Sequence, residues 1–243
     1  MLRQSSGGAS PGFSRITGIA ALGFAATIVL ANAIMVPAGL PLTGAEVGEV
    51  GAFFGTEGEV VAVASALTPA AWLLATLFGA GAVSALRCSE RDRGEAWSLL
   101  GFTGLALQNV TFAAVIAIRL ALTSTAGGDG ATAGSAPGGV TGGLWALHDA
   151  LFTLNGTFLA LALLGLSVAG LRAGLVRPWH GTLGLASAAL LFGSATLTPL
   201  VVDHAGPLGL LGLAGWLMWV VWIVAYGVTL IRLNPASRRH GEP

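Results

Sequence analysis

Arg119, His148, Asp149, Asp203 and His204 lie at the margins of long apolar runs, where ionisable groups can do chemistry. Arg119 and Asp149 suit an ion pair. His148 and His204 are neutral imidazoles with carboxylates next to them, a donor set for a divalent metal or, as an axial pair, for haem iron. The two histidines are far apart in sequence and carry no motif spacing. The same residue types also cap helix ends and snorkel into the headgroup region. No cofactor is therefore expected, and haem or a divalent metal is the alternative.

A second group is uncharged: Asn32, Gln108, Asn109 and Asn155 are amides inside apolar runs. Between helices such amides contribute about 0.5–2 kcal/mol each as hydrogen-bonding glue; the competing role is a polar path for a small transported molecule. No Asp, Glu, His or Arg falls at the middle of any run, which counts against ion-driven transport. Arg119 lies eleven residues beyond Gln108, about three helical turns, and so on the same face. A third group is the aromatic ridge Trp216, Trp219, Trp222 and Tyr226, suited to packing inside a bundle or to meeting another membrane protein, a lipid or a flat cofactor. Ser167 and Ser194 have no base at comparable depth. A non-enzymatic chain is the preferred reading.

The elements that must position these residues follow from composition. Of 243 residues, 54% are hydrophobic and 9% charged, against about 25% charged in a soluble chain. So few charges cannot cover a soluble globule, and lipid must be the solvent for most of the chain. Eleven acids offset eleven bases, all of them Arg. No basic surplus is left to meet phosphates, so nucleic acid is excluded as a partner. Without Lys there is no Walker-type loop and no Schiff-base site. The single cysteine, Cys88, excludes an intrachain disulfide.

A helix needs roughly 20 apolar residues to cross about 30 Å of hydrocarbon. Six stretches qualify: 16–36, 60–86, 96–122, 144–171, 181–202 and 208–233. A β-barrel would alternate apolar and polar residues, whereas Leu159–Leu166 is apolar throughout. The expected fold is all-α, a polytopic transmembrane bundle of six helices forming a single domain. With the N-terminus inside, ten arginines and four acids fall on the cytoplasmic side, one arginine and seven acids outside. This segregation places both termini in the cytoplasm. Arg3, Arg15 and the Ala31-Asn32-Ala33 triplet also mimic a cleavable secretory signal, but the apolar run is long for one and continues to Val36.

The short links 87–95 and 172–180 make spans two and three, and spans four and five, packed hairpins. The Gly-rich stretch 123–143 reads as a flexible external linker. In the first external link Gly44, Gly48, Gly51, Gly55 and Gly58 share one helical face and Val47, Val50 and Phe54 another. A short amphipathic helix in the outer interface fits that pattern, with a loose loop as the alternative. His180, after Trp179 at a span boundary, reads as interface anchoring.

Six spans, Arg-only bases and the stretch Leu144-Trp145-Ala146-Leu147-His148-Asp149-Ala150-Leu151-Phe152 together resemble six-span membrane proteins of high-GC bacteria known only as domains of unknown function. The resemblance implies a fold and a place in the cell membrane, and brings no catalytic residues. The expected activity is that of a non-enzymatic partner subunit or a bundle that binds a small ligand or lipid. Its expected partners are membrane lipids and, through span six, another membrane protein. A membrane redox protein using the outer histidines and a small-molecule transporter are the alternatives.

Overall fold

The computed structural model describes residues 11–126, 138–197 and 210–233. Within them the chain forms helices α1 (Pro11–Met35), α2 (Val47–Thr56), α3 (Gly58–Ala66), α4 (Thr68–Arg93), α5 (Trp97–Ala126), α6 (Gly139–Arg172), α7 (Pro178–Leu197) and α8 (Leu210–Arg232). The described residues contain no strand. Six spans are long and apolar enough to cross a membrane, with α3 and α4 together making the second. These are the helices of an integral membrane protein.

The spans form a closed ring: α1 packs on α4, α4 on α5, α5 on α6, α6 on α7, α7 on α8, and α8 returns to α1. Neighbours run antiparallel. The start of α1, the α4–α5 and α6–α7 turns and the end of α8 therefore share one face, called here the terminal face. The opposite, distal face carries α2 and α3. Both expected hairpins form, although the most extensive seam is α5 on α6.

The ring is filled. Phe24 meets Trp219 edge-on at 5.5 Å, Phe78 meets Tyr226 at 5.5 Å, and Trp222 lies 5.1 Å from Tyr226. Trp219, Trp222 and Tyr226 of the ridge are buried in this core and Trp216 is half-buried against it. The outward face of α8 is instead Leu210, Leu213, Leu217, Val221 and Val224. A neighbour reaching this helix through lipid would meet that aliphatic stripe, and the rings serve the bundle.

Three boundaries differ from the sequence reading, each for a local reason. The run 60–86 is divided between α3 and α4, because Pro69 has no N–H and its ring crowds the carbonyl four residues back. Thr68 Oγ1 donates to that carbonyl, Ser65 O, at 2.6 Å instead. The stretch 123–143 is helical at both ends: α5 continues through Thr123, Ser124 and Thr125, whose hydroxyls donate to the carbonyls three residues before them. At the other end α6 starts at Gly139, after Gly138 turns the chain at φ +90°. The first external link does contain a helix, α2, but it packs on α5 and α6. Its buried side chains are Val50, Phe53 and Phe54, while Gly48 and Gly51 face open space.

Candidate functional site

The distal ends of α5 and α6 bring three of the five outer candidates together. Arg119, in the penultimate turns of α5, is buried, as is His148 near the start of α6. The Arg119 Nε–H donates to His148 Nε2 at 3.1 Å. A guanidinium can only donate, so Nε2 is the acceptor and the ring proton sits on Nδ1. Nδ1 then donates to Asp149 Oδ1 at 3.1 Å, and Asp149 Oδ2 accepts the backbone N–H of Gly44 at 2.8 Å. The expected ion pair of Arg119 with Asp149 is thus replaced by a relay through a neutral imidazole. The cause is geometric: successive residues on a helix point about 100° apart, and His148 is the one that faces α5.

The imidazole is also held by its ring. Trp145 stacks on it with centroids 4.4 Å apart and planes 9° apart, and Phe152 lies parallel at 6.0 Å. Phe54 of α2 tilts against Trp145 at 6.2 Å. Met35, Val50, Phe53, Val61, Ala64, Ile118 and Leu122 complete this second apolar core. The loop after α1 and helices α2 and α3 therefore form a cap tied down twice, by Gly44 to Asp149 and by Phe54 to Trp145.

What the relay can do chemically is limited by where its lone pairs go. A general base or a metal ligand needs a free imidazole nitrogen. Nε2 of His148 is committed to Arg119, and Nδ1 carries the proton given to Asp149. A metal or haem iron at His148 would first have to displace an arginine or an aspartate. Asp203 and His204, the remaining outer candidates, lie outside the described residues. Among the described residues no three His, Cys, Asp or Glu side chains gather as a metal site.

The amides behave differently from one another. Asn32 Nδ2 donates to Ile28 O of its own helix at 2.9 Å, so it ties no helices together. Asn109 Nδ2 reaches across to Trp72 O of α4 at 3.5 Å. The carbonyl oxygens of Gln108, Asn109 and Asn155 are buried with no hydrogen-bond partner among the described residues. Gln108 lies on the α5 face that packs on α6, one turn from Gly104, which touches Phe158 and Ala162.

Two buried polar residues on the terminal face carry weak sequence signals. His180 is 2% exposed, and its Nε2 hydrogen-bonds Trp222 O at 2.9 Å, pinning α7 to α8. It anchors helix to helix, contrary to the interface reading. Glu90, counted by composition among the exposed acids, is 3% exposed. Its carboxylate accepts the Ser98 N–H at 2.7 Å and the Ser98 hydroxyl, capping the first turn of α5 from the end of α4. The signal available for this was an acid before a glycine turn and a serine opening the next helix. Gly94 makes that turn at φ +65°.

Compared with known protein families, characterised proteins and solved structures, the chain matches none.

Because Glu90 supplies a charged cap at a positive helix end, Glu90→Gln is expected to cost about 1–2 kcal/mol. The change should appear as a lower melting temperature, with faster amide exchange confined to the α4–α5 turn. Unchanged exchange there would remove the capping role.

Proposed function

We propose that this is a non-enzymatic subunit of the cytoplasmic membrane, with both termini in the cytosol, that meets a partner protein at its outer face. The observation that carries the reading is the Arg119–His148–Asp149–Gly44 relay. The described ionisable groups at that depth are spent on holding the cap, and a group held by donors on both sides is poorly placed to turn over a substrate. Two residues from the tie, Leu42 projects from the cap and is 80% exposed. A rigid backbone that displays an apolar side chain offers a partner an anchor at low ordering cost. The arginine bias toward the terminal face supports the orientation.

Orientation can be read with the native chain. Cys88 is exposed on the terminal face. A membrane-impermeant maleimide should label it in inverted vesicles and leave it unlabelled in right-side-out ones; the opposite pattern reverses the topology. For the partner, a photo-crosslinking amino acid replaces Leu42 in growing cells. A discrete protein adduct is expected, weakened when Arg119→Leu breaks the relay. Adducts to lipid alone would defeat the proposal.

A further inference from the structure

The terminal face carries a second built feature, independent of the relay and of which side faces the cytosol. A cleft of about 600 Å³ opens between the end of α4 and the start of α5. Val83, Arg87 and Arg91 follow one another at four-residue steps along one face of α4, and Leu99 of α5, 54% exposed, lies opposite. Volumes of this order hold small ligands or lipid headgroups.

The charges in the cleft are unequally spent. Glu90 is turned inward and occupied by Ser98. Glu95 bridges two arginines outside the pair, Arg93 at 3.1 Å and Arg172 at 2.8 Å. Both acids that line the cleft are thus committed to the chain's own donors. Arg87 and Arg91 are exposed, and neither has an ion pair among the described residues. Two adjacent guanidiniums match the bidentate, planar demands of a phosphate. Val83 and Leu99 lie on the apolar side of them, one turn deeper into the bundle, where an acyl chain would begin.

We infer that this cleft binds one anionic phospholipid, its phosphate held by Arg87 and Arg91 and its first methylenes lying on Val83 and Leu99. The apolar floor selects a lipid over a free anion, since an inorganic phosphate has nothing to place there. Glu90 and Glu95, already paired, set the cleft's edge without cancelling the arginines.

The test reconstitutes the full chain in vesicles of phosphatidylcholine alone and of phosphatidylcholine mixed equally with phosphatidylglycerol. Native mass spectrometry after gentle detergent extraction counts retained lipids of each kind. The wild-type chain should retain one phosphatidylglycerol in preference to phosphatidylcholine. Arg87→Gln with Arg91→Gln should lower that preference about thirtyfold, at about fivefold for each arginine removed near a charged surface. Arg177→Gln with Arg232→Gln removes equal charge from the same face and should change it less than about twofold, since neither lines the cleft. Equal losses in the two double variants would reduce the effect to general surface charge and overturn the site. A third arm adds inorganic phosphate to the phosphatidylcholine sample. Thermal stabilisation matching that of phosphatidylglycerol would overturn the lipid assignment in favour of a free anion.

Discussion

Replacing His148 with leucine should destabilise the protein more than replacing Arg119, although the arginine carries the charge. His148→Leu leaves the buried Arg119 cation without its acceptor and cuts Asp149 from its donor. Removing one member of a buried charged network costs about 3–5 kcal/mol. Arg119→Leu leaves only a neutral imidazole nitrogen unsatisfied and a part-exposed carboxylate further out, about 1–3 kcal/mol. The double variant Arg119→Leu/His148→Leu should be more stable than His148→Leu alone, because it leaves no buried cation. A further comparison isolates protonation. The side-chain amide of His148→Gln offers one acceptor and one donor, as the neutral imidazole does, and should retain most of the stability. His148→Lys offers only donors against a guanidinium and should not accumulate as folded protein. Equilibrium unfolding in mixed micelles ranks the series. If His148→Gln falls as far as His148→Leu, the relay is not what holds the site. Asp149→Asn tests the outer tie by itself. It should leave the bundle's unfolding nearly unchanged while raising protease cleavage within residues 40–46, where Gly44 has lost its charged acceptor.

The parts of this structure legible in the sequence are those set by the solvent. Six apolar runs became six spans because the length of a crossing and the need to satisfy backbone hydrogen bonds leave no other solution in lipid. Arg119, His148 and Asp149 were legible as a group because all three fall near the distal ends of their spans. Their order was not, because it depends on how α6 is rotated against α5. Gly44 was invisible as a partner: a backbone N–H donor has no residue signature. His180 shows the same limit. A Trp-His pair at a span boundary reads identically whether the histidine faces lipid or helix, and the choice here is made where Gly181 and Gly184 let α7 close on Leu171 and Ser167. The aromatic ridge was legible as a ridge, while its direction, into Phe24 and Phe78, depended on the ring closing through α1 and α8.

Glycine is where composition says least and the structure most, and it gives the second large expected effect. The chain has 37 glycines, and their sequence neighbourhoods do not separate those that pack from those that do not. A Cβ at Gly104 would stand 2.5 Å from Ala162 N and 2.9 Å from Phe158 O, both backbone atoms of α6. At the ring's closing seam, a Cβ at Gly18 would lie 2.6 Å from Gly227 O, and one at Gly227 would lie 2.8 Å from Gly18 O. Backbone cannot rotate away as a side chain can, so the helices must separate. Gly104→Ala and Gly18→Ala are each expected to cost about 3 kcal/mol, the upper part of the overpacking range. Association in lipid rests on this close approach, with no hydrophobic drive to compensate. Gly51 in α2 and Gly193 in α7 have nothing within 4 Å of such a Cβ. There alanine meets no clash and improves helix propensity, so Gly51→Ala and Gly193→Ala should stabilise by up to about 1 kcal/mol each. The two pairs make the same chemical change with opposite predicted signs. Unfolding midpoints of the four variants, measured in one detergent mixture, decide between contact and composition. Should all four shift the same way, glycine here would be acting through helix propensity, and the seams at Gly18 and Gly104 would not be what closes the ring.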